Sequence, residues 1–393
     1  MGKALRGALL PVAAGVLPTF LVGALAVQIR GDLDFAESGL GLLSAVFFLG
    51  ASVSSVGLGR VSERVGAVLA LRVGAFGTAA ILLAVAVLGR SYVVLLGLLT
   101  VAGVANALIQ PAANLYLARA IPASRLGFAF GVKQSAIPAG ILLGGLAVPA
   151  IGLTVGWRWA FVAAAVFAVT AALALPAAQP LAAPLAVPDP LAPTTDAPRS
   201  ITVAFAVGGA FASAAAGVLG AFLVSSGVEA GLTESAAGLL SSLAAAASIG
   251  VRLLLGIRAD RTGGRHLVTV ASMLALGSGA FVLLAAGPVG LFVLGAPLAF
   301  ALSWAWPGLF NLAMVRHHPE APAAATGITQ TGVYVGAVLG PLVFGVVAEG
   351  GYGGAWIMAG AWSITAGVLI GAARARLVRH RAEPPGDGPT GAR

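Results

Sequence analysis

Apolar residues run through this chain in long blocks, and polar residues are confined to short interruptions between them. A helix needs about 20 mostly apolar residues to cross a bilayer core. Twelve blocks meet that requirement, at roughly 8–28, 39–58, 68–88, 92–117, 127–150, 158–175, 200–222, 235–256, 267–286, 290–314, 325–348 and 354–373. The pattern predicts an all-α membrane protein whose connections are mostly short, as antiparallel neighbours require. Residues 177–199 depart from it: Pro180, Pro184, Pro188, Pro190, Pro193 and Pro198, with Asp189 and Asp196, read as an extended linker. The chain therefore divides into a six-helix bundle over 1–176, the linker over 177–199, a second bundle over 200–373 and a basic cytosolic tail over 374–393.

The two halves repeat each other. Residues 59–66 read G-R-V-S-E-R-V-G and residues 256–263 read G-I-R-A-D-R-T-G, an offset of 197. In both, an acid and an Arg sit between two glycines, and each copy joins one long apolar block to the next. Residues 130–140 align with 326–336 at an offset of 196, which sets Gln134 on Gln330, Gly140 on Gly336 and Gly144 on Gly340. On the other side of the predicted membrane, Glu37-Ser38 matches Glu234-Ser235. There the Ser is expected to cap a helix start, with the acid beside the positive end of the helix dipole. Duplication of membrane-length segments at half-length points to a transporter built from homologous halves.

Composition agrees with this reading. Hydrophobic residues make up 59% and charged residues 9%, against about 25% charged in a soluble domain. The absence of cysteine excludes disulfides, thiolate metal sites and Cys nucleophiles. The 55 glycines suit close helix packing in lipid, although a biased genome would produce them as well. A net charge of +9 does not imply nucleic acid, because the charges lie in short loops and not on one basic face. With the N-terminus inside, seventeen Lys and Arg fall on the inner side and only Arg30, Arg90 and Arg158 on the outer. The positive-inside rule then puts both termini in the cytosol of a multi-pass cell-membrane protein.

With the repeated loop and its topology in view, the chain resembles the major facilitator superfamily over its whole length. The second loop copy matches that family's G-x-x-x-D-R-x-G pattern at Gly256, Asp260, Arg261 and Gly263, with Arg265 trailing. The first, Gly59, Glu63, Arg64 and Gly66, has Glu in place of Asp and is followed by Ala67 and Val68 without a basic pair. The resemblance implies two pseudo-symmetric six-helix bundles around a central cavity lined by spans 1, 4, 7 and 10, working by rocker-switch alternating access. It makes the repeated loop an inner latch that holds the outward-open state. Taken alone, the same residues read as ordinary positive-inside loop charges. Two departures weaken assignment to the proton-driven drug antiporters: Leu99 stands where many proton-coupled members have Arg before Gly103, and Gly140 and Gly144 are followed by Gly145, not Pro. Gly336, Gly340 and Pro341 give a similar string on span 11.

An ionisable group inside the membrane is costly and marks a candidate site. All 13 acids fall outside the predicted spans, so none is placed for a mid-membrane proton relay; Asp32 or Asp34 would qualify only if span 1 ran further. Two cations remain. Lys133 lies roughly 9 Å into span 5 at ~1.5 Å per residue, as a cavity cation for an anionic substrate or as a structural Lys reaching the interface. Arg252, one turn before Gly256, suits the C-terminal dipole of span 8 and joins the latch group.

Polar stripes point to a cavity. Asn106, Gln110 and Asn114 share one face of span 4, with Pro111 expected to break the helix among them. Trp304 and Asn311 share a face of span 10 beside Trp306 and Pro307; Gln330 and Tyr334 pair on span 11, and Gln134 mirrors Gln330. Single polar residues of this kind also act as helix–helix glue. Trp157 and Trp159 are expected as interfacial anchors.

The adjacent His317 and His318 do not share the helix face that a metal pair needs, and no phosphate-binding loop exists. No enzyme activity, metal or cofactor is expected. The leading expectation is a transporter of a small organic or inorganic anion. An efflux pump for amphipathic compounds, on the aromatic surface of Trp304, Trp306 and Phe310, is the alternative, and a non-transporting receptor or assembly protein the third. The expected partners are a small-molecule substrate and the lipid bilayer, with no nucleic acid, and the expected unit is a monomer.

Overall fold

A computed structural model describes residues 2–122, 125–176, 196–261 and 265–382, without the side chains of 126, 127, 260, 261 and 322–324. Among the described residues, eleven helices are long and apolar enough to cross a membrane: α1 (Gly2–Ala24), α2 (Glu37–Val65), α3 (Ala67–Leu88), α4 (Tyr92–Ala120), α5 (Phe128–Val155), α7 (Arg199–Glu229), α8 (Glu234–Ala259), α9 (His266–Ala285), α10 (Val289–His317), α11 (Ala325–Ala348) and α12 (Tyr352–Ala382). The sixth, α6 (Trp157–Leu173), is shorter at 17 residues, about 25 Å at 1.5 Å per residue. No strand occurs among the described residues. We call inner the face bearing the start of α1 and the α2–α3 loop, and outer the opposite face.

The halves are built alike. α1 packs on α5 and α7 on α11; α2 on α4 and α8 on α10; α3 on α6 and α9 on α12. Across the halves, α2 meets α11, α5 meets α8, and α1 meets α7. The aligned glycines explain much of this. A Cβ at Gly336 would fall 1.9 Å from the Ala210 carbonyl oxygen on α7, and one at Gly140 would fall 2.8 Å from Val16 Cγ2 on α1. The repeated glycines thus let the same helix pair close in each half, as lipid-embedded interfaces with small residues do. On the outer side the halves touch by the same means: a Cβ at Gly41 would lie 2.2 Å from the Pro341 oxygen, and one at Gly145 2.4 Å from the Gly238 oxygen.

Several local expectations are corrected. α4 runs without interruption through Pro111. The interruptions fall instead at Ser135 in α5 and at Trp304–Trp306 in α10. Past Ala24, the short helix Ala26–Leu33 prolongs α1 and carries Asp32 on the outer rim, where its side chain is 47% exposed. α12 runs on to Ala382, so Arg374, Arg376, Arg379 and Arg381 ride on helix, not in a tail. Neither predicted Ser cap forms: Ala36 precedes α2 without a side-chain cap, and at α8 the cap is Thr233, whose Oγ1 accepts from Ala236 N at 3.2 Å. Trp157 is no interfacial anchor; it is buried and donates to Asp32, whereas Trp159 is exposed. Linker residues 177–195 lie outside the described residues.

Candidate functional site

The polar stripe of α4 emerges with graded exposure: Asn106 is buried, Gln110 half-buried and Asn114, nearest the inner face, exposed. Gln110 Nε2 donates to Asn106 Oδ1 at 3.3 Å. Lys133, on α5, reaches this stripe and donates from Nζ to Gln110 Oε1 at 2.6 Å. Its side chain is buried at 4% exposure, among neutral partners. Lys133, Gln110 and Asn106 therefore form one hydrogen-bonded chain inside the N-terminal half.

A second buried cation answers it from the other half. Arg252 is 3% exposed, and its guanidinium reaches two backbone carbonyls. Nη1 donates to the Gln134 carbonyl at 2.6 Å and Nη2 to the Trp304 carbonyl. Both acceptors are free for a reason in the sequence. Pro138 lacks the N–H that would have taken the Gln134 carbonyl. The Trp304 carbonyl sits at the interruption before Pro307, where the first segment of α10 ends with its carbonyls unclaimed. A guanidinium placed against two helix C-terminal ends is favoured by their dipoles. Arg252 Nε is buried without a partner.

The aromatic residues behave differently from expectation. Trp306 is 1% exposed and packs edge-on to Phe310, which meets Phe205. Trp304 stacks on Phe300 and meets Phe20 of α1 edge-on across the halves. In this conformation the group is core, not cavity surface. Asn311, Gln330, Tyr334 and Gln134 are half-buried. Two surface recesses, of about 430 and 490 Å³, lie on the outer rim around Gln28, Asp32 and Arg158 and between α7 and α11, and neither is lined by the Lys133 chain.

The first latch copy ends α2: Glu63 and Arg64 are exposed, Gly66 turns the chain at φ +89°, and Gly59 is half-buried. Among the described residues the ion pairs are Arg30–Glu37 and Arg158–Asp32, both on the outer rim, so Glu63 holds no cation here. In the second copy Gly256 is half-buried and Arg265 exposed. The Asp260 and Arg261 side chains and Gly263 lie outside the described residues.

Sequence reading missed the histidine contacts. His318 Nε2 meets Thr202 Oγ1 at 2.7 Å, His266 Nε2 meets Arg316 at 2.6 Å, and His317 Nδ1 meets Arg381 at 3.0 Å. They tie together the inner ends of α7, α9, α10 and α12. No periodicity signals such contacts, because each partner comes from a different helix.

Two like bundles of spanning helices, joined along glycine-tightened seams, with one cation buried within a bundle and another bridging the two, define a carrier-type membrane protein. The sequence model of the Major Facilitator Superfamily matches residues 12–205 and 205–392, and the chain belongs to that superfamily: it is a membrane transporter. No curated protein matches the chain.

Proposed function

We propose that the protein moves a small organic or inorganic anion by rocker-switch alternating access, with Lys133 as its principal cationic contact. The carrying observation is charge without countercharge. Lys133 and Arg252 are both buried, and both described carboxylate pairs lie at the outer rim. Burying an ion costs several kcal/mol, about what a neutral amide and helix ends recover only in part. An anion entering between the halves supplies the missing charge. The gradient from buried Asn106 to exposed Asn114 gives it a polar approach from the inner face. The Lys/Arg bias supports a cell-membrane location with both termini cytosolic, and we take the monomer as the working unit.

The test is thermal unfolding of the detergent-purified protein against organic and inorganic anions and lipophilic cations, followed by uptake in proteoliposomes. A ligand at a hundredfold its dissociation constant stabilises by about 2.7 kcal/mol. An anion should raise the unfolding midpoint of wild type and of Lys133→Arg, but not of Lys133→Gln. Stabilisation by lipophilic cations alone, or anion uptake that survives Lys133→Gln, overturns the reading.

A further inference from the structure

The recess between α7 and α11 stands apart from the Lys133 chain and has a defined build. Its floor is made of small residues: Ala206 and Ala210 on α7 and Gly332 on α11, where a Cβ at Gly332 would fall 2.1 Å from the Ala206 carbonyl oxygen. Its walls are branched and apolar. Val203 and Val207 stand on one side and Ile328 and Val335 on the other, around a volume of about 490 Å³. The hydroxyl among the lining residues, Thr331 Oγ1, already donates to the Gly327 carbonyl at 2.9 Å. The recess therefore offers contact to hydrocarbon and no free side-chain polar group.

It opens away from the centre of the molecule. On α7, Gly209 turns toward Phe310 of α10 and Gly220 toward Phe20 of α1. At 3.6 residues per turn, Val203 and Val207 lie on the far side of that helix, and both are exposed, as is Val335. Arg199 falls on the same stripe as Val203, Val207 and Ala210, one turn nearer the inner face, and is exposed. Both described ion pairs lie on the outer rim, so neither gives Arg199 an acid, and Asp196 is engaged by the Glu320 N–H at 2.9 Å. The Ala197 N–H and Arg381 Nη2 share the His317 carbonyl, at 3.1 and 3.3 Å, which brings a second guanidinium beside the start of α7. The duplication does not carry the recess into the N-terminal half. At the repeat offsets of 197 and 196, Val207, Ala210 and Gly332 correspond to Leu10, Ala13 and Ala136, which are half-buried, buried and buried.

We propose that this recess binds one anionic phospholipid of the inner leaflet, with an acyl chain in the apolar recess and the phosphate on Arg199. The chemistry selects that occupant. A polar solute finds nothing to hydrogen-bond between α7 and α11, and a neutral lipid fills the recess but leaves Arg199 without a countercharge. An acyl chain gains little by leaving its neighbours in the bilayer, so the headgroup contact sets the preference. Each basic residue at a membrane surface favours an anionic lipid about fivefold. Arg381 adds to the same positive field. The site is independent of which solute the protein carries.

The test is photolabelling in phosphatidylcholine nanodiscs that carry a minor fraction of a probe with a diazirine in its acyl chain. The probe is either phosphatidylglycerol or phosphatidylcholine, and labelled peptides are quantified by mass spectrometry. In wild type the phosphatidylglycerol probe should label the inner halves of α7 and α11 about fivefold or more above the phosphatidylcholine probe, with no such excess around Leu10 on α1. Arg199→Gln should cut the excess about fivefold, and Arg199→Lys should keep it. Val207→Trp fills the recess and should lower labelling there by both probes. Arg199 is exposed, so its variants remain informative if Val207→Trp fails to fold. Equal labelling by the two probes in wild type means ordinary surrounding lipid and overturns the site. An excess that survives Arg199→Gln in full, an equal excess on α1, or labelling unchanged in a folded Val207→Trp overturns it as well. Because no solute is present, none of these results bears on the anion reading, which stands or falls on the Lys133 variants.

Discussion

Arg252 offers the sharpest energetic test, because the atoms it satisfies can be counted. Its two terminal nitrogens serve the carbonyls of Gln134 and Trp304, one in each half. Replacement by Met keeps the apolar stem and removes both donors. A buried carbonyl left unsatisfied costs about 1–3 kcal/mol, so two cost about 2–6 kcal/mol. Relief from burying the charge offsets part of that, yet removing one member of a buried polar set remains net destabilising in general. The structure supplies its own control. The Gln134 carbonyl lacks a helical partner because residue 138 is Pro, so Pro138→Ala introduces an N–H within reach of it. In the Arg252→Met background that bond should return about 1 kcal/mol; in wild type, where Arg252 already serves the carbonyl, it should return less. Unfolding of the four proteins in one detergent, read as a double-mutant cycle, measures the coupling. Arg252→Met as stable as wild type, or additive effects of the two substitutions, would refute the idea that Arg252 serves the orphaned carbonyls.

Two further outcomes follow from packing and charge. Gly336→Ala should lower detergent stability more than Gly140→Ala, because the first meets a backbone oxygen and the second the end of a Val side chain; Gly57→Ala, with nothing within 4 Å, should be neutral or stabilising by up to about 1 kcal/mol. If Gly57→Ala proves the worst of the three, the close-approach argument fails. At the outer rim, the hydrogen bond from Trp157, then that from Arg158, hold the Asp32 carboxyl below its ordinary value. Its contribution is therefore full above the unfolded carboxylate range, near about 4, and lost as pH falls through the folded value. The stability gap between wild type and Asp32→Asn should shrink on acidification; a gap that widens at acid pH contradicts the assignment.

The twelve-block hydropathy pattern and the half-length repeat made the fold legible before any coordinate, because both record constraints on every residue of a span. The aligned glycines carried further information: Gly140 and Gly336 mark the same α1–α5 and α7–α11 approach. The candidate site was legible only in part. That Lys133 lies within a span and that Asn106, Gln110 and Asn114 share one face was legible from the apolar blocks and the i, i+4 spacing; the hydrogen bond joining Lys133 to Gln110 was not, because it links two helices whose packing no spacing records. Pro111 misled, since a proline inside a spanning helix can be absorbed without breaking it when neighbours pack around it. Arg252 misled in the opposite way. Its place one turn before a loop motif suggested the latch, but its direction was set by carbonyls that prolines far away in sequence had freed.

That last contrast has a mechanical consequence. Arg252 joins an α5 carbonyl to an α10 carbonyl on the inner part of the seam, and Gln28–Glu234 joins α1 to α8 on the outer. A rocking motion cannot release both at once without exposing a guanidinium and a carboxylate together to a partly closed, poorly hydrated seam, where each unpaired charge costs several kcal/mol. The proposed alternating access would release them in turn. When the inner side parts, Arg252 keeps the Trp304 carbonyl of its own half and gives up Gln134; when the outer side parts, Glu234 is left to water at the rim. In the anion-carrier reading proposed above, Lys133 shares α5 with Gln134, the residue that Arg252 gives up. On that reading, an anion that neutralises the inner cations lowers the cost of freeing Arg252 from Gln134 and ties solute binding to the seam that must open next.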